Sequence, residues 1–410
     1  MDGARCPRTG VPDHVPDDLV REFSIYKSPG LTPTPHGDPH AALGYLREYP
    51  PIFYSPSNAY DGSGSWVVRR AEDQRSIMGD PATFSSKRKW LFDEALGPDF
   101  ILRPLENDPP LHTDYRMLLN PLLSPKRVDA MEADVRRRAI ELIDGFKPRR
   151  ECDVMKDFAF PFAVGVFLQF MGIGDERRDE FIGWVEDLFH KTVDDRRMAV
   201  KRVTDFMKEL MELRRREPTD DFMSFLLASR VNGRALEEIE IVGLGTLLFN
   251  GGLDTVATHI GLNLYHFARY PEHQAWLRAN PDGTKTAVEE LLRAYSTITP
   301  LRQVTKDTEI NGVQLKPGDV VSCPSMLANR DATEFPNPDD IDLTRENNRH
   351  TAFAYGPHRC LGSHLARREI IIGMEEFFAR IPTFAIKPGS TPITHGGYVF
   401  GVDDLVLSWN

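Results

Sequence analysis

The stretch "FAYGPHRCLGSH", residues 353–364, decides the fold. It sets Cys360 between Gly356 and Gly362, behind His358 and Arg359, and directly ahead of an apolar helical pattern. A thiolate that binds a metal needs a lowered pKa, hydrogen bonds to its sulfur, and room for the metal. A helix start supplies free N–H groups and the positive end of the helix dipole. Glycines permit a tight turn and close approach. By itself the loop leaves two readings open, a buried free cysteine at a helix start or a metal ligand. A zinc site would use Cys360 and His364, one helical turn apart, but two further ligands are missing nearby.

The rest of the chain narrows the choice. Its 410 residues are 41% hydrophobic, enough for a large core. The net charge is −11, which argues against a nucleic-acid partner, since that wants a basic footprint. Cys6, Cys152, Cys323 and Cys360 are far apart and form no CxxC pair, so a disulfide framework is not expected and a cytoplasmic setting is. No stretch reaches the ~18 uncharged apolar residues of a membrane span, and the N-terminus lacks an apolar leader.

Residues 1–40 are rich in Pro and Gly and are expected to be irregular. "SWVVRR" (65–70) predicts a short strand. From 112 to 280 the periodicity is mostly helical. "EIEIVGLGTLLFNGGLDTVATHIGLNLYHFARY" predicts one long buried helix, apolar nearly all round. Its glycines are costly, at about 1 kcal/mol each relative to Ala in a helix interior. "TEINGVQLKPGDVVSCPS" predicts a hairpin, and "GGYVFGVDDLVLSW" a second one at the C-terminus. A helix is expected over 361–381, with Ile371, Met374, Phe378 and Ile381 as its apolar stripe. No charge run or flexible spacer divides residues 1–410, so one mainly helical domain with small sheets is expected.

"FAYGPHRCLG" fits the haem-binding pattern F-x-x-G-x-[HR]-x-C-x-G at Phe353, Gly356, His358, Cys360 and Gly362. The chain thus resembles the cytochromes P450, and other segments agree in family order. "FNGGLDTVA" fits the oxygen-activation motif at Gly251, Gly252, Asp254 and Thr255. The Thr255 hydroxyl, four residues after Gly251, can bond that carbonyl and open the helix ladder. Glycines here let a helix pass close over a flat cofactor. "EELLR" gives Glu290 and Arg293; alone they read as a surface ion pair worth about 0.5 kcal/mol. The resemblance implies instead a structural cluster with Arg345 of "FPNPDDIDLTR".

From about residue 40 to 410 the chain is similar to the bacterial, soluble camphor-hydroxylase family, as "GGLDTV", "VNGR", "HLARREII" and "GVQLKPGD" show. The resemblance implies a cytochrome P450 fold with haem b between the long central helix and the cysteine loop. Cys360 becomes the axial iron ligand, and Asp254 and Thr255 the proton-delivering pair. His112, Arg116, Arg302 and His358 become partners of the haem propionates, which need charged donors. The implied activity is monooxygenation with O2, with electrons from a separate [2Fe–2S] ferredoxin and its NADH-dependent reductase. Lys126, Arg127, Arg116, Arg349, Arg359 and Arg367 would form a basic patch that steers an acidic ferredoxin. A peroxide-dependent enzyme or a non-catalytic haem sensor are the alternatives, and the Asp254–Thr255 pair weighs against both.

The substrate loop departs from the family pattern. Where the camphor enzyme uses a tyrosine to bond its ketone, "LGPDFILRP" offers Pro98 or Phe100, neither a donor. Trp90, Leu247, Asn250, Ile298, Thr299, Val399 and Phe400 are the other expected pocket positions. A small apolar terpenoid or norisoprenoid with an ionone-like ketone is expected, and Asn250 offers a replacement hydrogen bond.

Overall fold

The structure is a computed structural model that describes residues 10–58, 63–87, 100–397 and 399–410. The chain folds into two compact units, each built from segments separated in sequence. Unit 2 comprises residues 89–288, 361–390 and 404–410, and unit 1 the remainder.

Unit 2 is the helical one. We label its principal helices α1 (Leu111–Leu119), α2 (Pro125–Phe146), α3 (Phe160–Phe170), α4 (Arg178–Phe189), α5 (Val193–Arg216), α6 (Glu238–Gly252), α7 (Asp254–Arg269) and α8 (Ser363–Arg380). The run 238–269 has the length and hydropathy to cross a membrane, yet most of its side chains are packed inside the unit. It is not one helix. The chain breaks at Leu253, where ψ of −63° at φ −100° departs from the helix and α7 starts afresh. The Thr255 hydroxyl donates to the Gly251 carbonyl at 3.0 Å, replacing a backbone bond of the ladder.

The α8 helix packs on α2 through charge outside and rings within. Arg136 bonds Glu132 at 3.1 Å and Glu375 at 2.8 Å. Beneath, the Phe377 ring meets Phe158 at 5.8 Å and Phe384 at 5.2 Å. Tyr115 of α1 donates to Glu240, which also takes two bonds of 2.7 Å from Arg234. Arg234 lies on the two-stranded hairpin 230–235, whose Asn232 side chain donates to Asp114 at 2.8 Å. These contacts tie α1, the hairpin and the start of α6 together.

Unit 1 holds a five-stranded sheet of β1 (Ile52–Ser55), β2 (Ser65–Val68), β3 (Phe84–Ser85), β4 (Leu301–Val304) and β5 (Val320–Ser322), in the order β1-β2-β5-β4-β3. Both faces are covered, so β1 and β2 read as continuous apolar runs without alternation. Ile52, Tyr54, Trp66 and Val68 join one buried cluster, and Phe53 and Val67 the other. The expected hairpin forms at 308–315, with Asn311 and Gly312 both at positive φ in its two-residue turn.

The expected C-terminal hairpin does not form. Strand 401–403 pairs with 393–395, whereas 406–408 pairs with 151–153 and 385–386 in a different sheet. Asp404 takes φ of +51° between them, and each strand finds a better partner far away in sequence. Local alternation announces a strand, but long-range pairing chooses its neighbour.

Candidate active site

Of the three described cysteines, two are packed as core. Cys152 and Cys323 are almost wholly buried, and burial pushes both thiols up, Cys323 to about 12. A thiol held protonated is a poor ligand. Cys360 is half-buried, unlike the other two. Its N–H donates to the Phe353 carbonyl at 2.9 Å and closes the loop. Gly356 sits inside that loop at φ of +70°, where a Cβ would lie 2.4 Å from the Met78 carbonyl oxygen. Only glycine fits. Among the described residues, no group of three His, Cys, Asp or Glu side chains close enough to share a metal ion includes Cys360. His364 is an exposed residue of α8.

Also in unit 1, Glu290, Arg293 and Arg345 come together, without the character of a surface pair. Glu290 and Arg293 are 0% exposed. The carboxylate of Glu290 takes Arg293 Nε at 2.8 Å and Nη2 at 2.7 Å, Arg345 Nε at 3.0 Å, Asn348 Nδ2 at 3.0 Å and the Asp342 N–H at 3.0 Å. Arg293 also donates to the carbonyls of Asn329 and Pro338, both at 2.7 Å. The cluster pins residues 329–348, the segment that leads into the cysteine loop. Arg302 is buried on β4 with Nη1 on the Leu301 carbonyl at 2.8 Å. His358 lies in the single 3-10 turn just before Cys360.

In unit 2, α6 and α7 carry a distinctive face. Residues 241–246, 253–254 and 256–267 are buried, but Leu247, Leu248, Asn250, Gly251, Gly252 and Thr255 are not. These positions recur at three- and four-residue steps and form one stripe along the helix break. A Cβ placed on Gly251 would meet nothing within 4 Å. The stripe therefore borders open space inside an otherwise packed helix pair. Two buried polar atoms beside it, Thr246 Oγ1 and Asn250 Nδ2, have no protein partner among the described residues. Buried polar groups are rarely left unsatisfied, so both suit a bound ligand or water. These features fit a flat cofactor and a small molecule against this face.

Asp254 is 0% exposed, and its Oδ1 meets His190 Nε2 at 2.9 Å. His112 is buried on α1, one turn before the half-buried Arg116, whose Nε donates to Asn120 at 3.0 Å. Of the expected pocket residues, Ile298 and Thr299 are half-buried, and Val399 and Phe100 nearly buried. Phe400 is completely buried among Phe23, Leu43, Phe53 and Met326, so its ring belongs to the core of unit 1. Trp90 and Pro98 lie outside the described residues.

Sequence reading misses His190. It lies 64 residues before Asp254, and a lone histidine at a helix end carries no pattern. It also misses the link from Arg234 to α1, because Tyr115, which shares Glu240 with Arg234, lies far upstream.

Comparison with known proteins agrees with this arrangement. Residues 177–392 match the family model described as Cytochrome P450. The chain is 52% identical to "Probable cytochrome P450 127A1" of Sinorhizobium fredii, over 99% of this chain and 98% of that one. Among solved structures it is similar to cytochrome P450 CYP101C1 (TM-score 0.87, 32% identity, 98% of this chain and 100% of that one). It is also similar to CYP101J2 (TM-score 0.86, 31% identity, 97% and 99%). Identity of this level across almost the full length leaves one conclusion: the chain belongs to the cytochrome P450 family, with haem b as its cofactor and monooxygenation as its class of chemistry.

Proposed function

We propose that this cytochrome P450 hydroxylates a small apolar terpenoid or norisoprenoid, with an ionone-like ketone as the leading case. The observation that carries this is the half-exposed stripe of α6 and α7. It is apolar at Leu247 and Leu248, offers one unpaired amide donor at Asn250, and ends at Thr255 beside a buried Asp254. An apolar surface with a single donor suits an apolar molecule with one acceptor oxygen.

Bound haem with a thiolate ligand supplies dioxygen activation, and thiolate donation favours O–O cleavage. Cys360, in the loop closed on the Phe353 carbonyl and opened for it by Gly356, would supply the thiolate. In unit 2 His112 and Arg116, and in unit 1 Arg302 and His358, would be the donors offered to propionates. Thr255 is fixed at the helix opening by its bond to Gly251, where its oxygen can accept a proton as its own is passed on. Asp254 provides that proton from the buried side.

Electrons come from a [2Fe–2S] ferredoxin and its NADH-dependent reductase, in the cytoplasm. Support in unit 2 comes from exposed Lys126 and Arg127, with half-buried Arg116 beside Met117, which is 64% exposed. Exposed cations of this kind suit an acidic protein partner. Arg349 contributes less, because Glu334 lies 3.8 Å away.

A spin-state titration against camphor, ionones and other small terpenoids tests the substrate class. Ionones should shift the Soret band at lower concentration than camphor, and Asn250→Leu should remove the preference for the ketone. Camphor binding as tightly as the ionones would overturn the pocket argument. Product formed with ferredoxin, reductase and NADH, and not with peroxide alone, tests the electron source.

A further inference from the structure

We infer that His190 is a positioning residue that acts through Asp254, holding its carboxyl group and passing protons to it from the surface. The inference rests on the proposed role of Asp254 and adds the residue that connects it to water.

Asp254 sits in an apolar run with no exposed surface. Burying an ionised carboxyl group without a partner is costly. His190 Nε2 meets Oδ1 at 2.9 Å, while Oδ2 is buried with no donor among the described residues. One carboxyl oxygen is therefore held and the other is left to face inward. The histidine is itself well fixed. It caps the end of α4, its N–H donating to the Glu186 carbonyl at 2.9 Å. Only Lys191 and Thr192 separate it from α5, and Thr192 with Asp195 forms a capping box there. The Phe160 ring meets the imidazole edge-on at 6.1 Å and sets its plane.

The side chain of His190 is 23% exposed, so one imidazole spans from solvent to a fully buried carboxyl group. Charges on the adjoining ends of α4 and α5 are engaged with one another or with backbone: Lys191 and Arg202 pair with Asp187 at 2.7 and 2.9 Å, and Arg196 donates to the Leu188 carbonyl at 2.7 Å. Imidazole takes up and releases a proton near neutral pH, whereas arginine in this place would stay charged and could only hold the carboxylate. A proton from bulk water enters His190 at Nδ1 as the Nε2 proton moves to Asp254 Oδ1, which leaves the imidazole neutral; the protonated carboxyl group then turns, gives that proton inward and returns to carboxylate, and exchange with solvent restores the proton on Nε2.

The experiment compares His190→Phe, His190→Gln and Asp254→Asn as holoenzymes, with a [2Fe–2S] ferredoxin and reductase pair that supports the parent. The readouts are the Soret band of the reduced carbon monoxide complex, the unfolding midpoint, product formed per NADH, and the solvent isotope effect. Both His190 variants should keep the Soret band and lose at least ~10-fold in product formation, with a larger solvent isotope effect. His190→Gln retains a donor to Oδ1 but cannot relay a proton, so full turnover in that variant would overturn the relay even if His190→Phe fails to fold. Turnover within twofold of the parent in both His190 variants, with Asp254→Asn impaired, would overturn the inference and leave Asp254 in its role. Unchanged turnover in Asp254→Asn would instead remove the reading of Asp254 on which the inference rests.

Discussion

Replacing Glu290 with Gln tests whether the buried cluster of unit 1 holds the segment that leads to the cysteine. The carboxylate accepts from Arg293, Arg345 and the Asp342 N–H on one oxygen, and from Arg293, Arg345 and Asn348 on the other. An amide in either orientation turns one of those acceptors into a donor facing at least two N–H groups. It also leaves Arg293 with no exposed surface and no counter-charge, stacked on the Phe335 ring at 5.3 Å. Breaking a buried pair in this way costs ~3–5 kcal/mol. With an unfolding entropy of ~2.1 cal/mol/K per residue over 410 residues, the melting temperature should fall by ~4–6 °C if the chain unfolds as one unit. Calorimetry and guanidinium midpoints read the change. Asp134→Asn, which breaks the largely exposed pair with Arg137, is the control and should cost less than ~1 kcal/mol. If Glu290→Gln shifts the midpoint no more than this control, the energetic argument for the buried cluster is wrong.

Four further outcomes follow from named contacts. Burial would raise the Glu240 carboxyl, but bonds from Arg234, Tyr115 and the Glu237 N–H outweigh it and hold it at about 2. The stabilisation is therefore present above about pH 4.5 and lost as pH falls toward 2; it is worth at most ~3 kcal/mol, since Arg234 is half exposed. Acid unfolding of Glu240→Gln should lack that component, and parallel acid curves for the two proteins would count against it. Gly356→Ala should destabilise by more than ~1 kcal/mol and lower the haem-to-protein ratio, because the left-handed φ and the Met78 carbonyl both oppose a Cβ; normal loading at normal stability would show that the loop yields. Cys360→Ser should abolish the red-shifted Soret band of the reduced carbon monoxide complex, and a retained band would move the ligand elsewhere. Thr255→Ala should divert electrons to hydrogen peroxide, measured as a drop in product per NADH; unchanged coupling would remove its part in proton delivery.

The motifs at 251–255, 290–293 and 353–362 were legible because each is a short run whose spacing carries its own chemistry. Thr255 reaches Gly251 simply by lying four residues later on a helix. Gly356 and Gly362 declare a tight loop by lacking side chains. Helices and the Asn311–Gly312 turn were readable for the same reason, since period and turn chemistry are local properties. The family, its fold and its cofactor followed from those runs.

Tertiary structure decided what depends on distant partners. It buried Glu290 and Arg293 completely, where sequence alone allowed a surface pair. It sent strand 406–408 to 151–153 rather than to its neighbour at 401–403, and it drew Phe400 into a core. It also brought His190 to Asp254 and Tyr115 to Glu240, across 64 and 125 residues. Such pairings are set by which surfaces exclude water together, and that free energy belongs to the whole packed chain, not to any one segment.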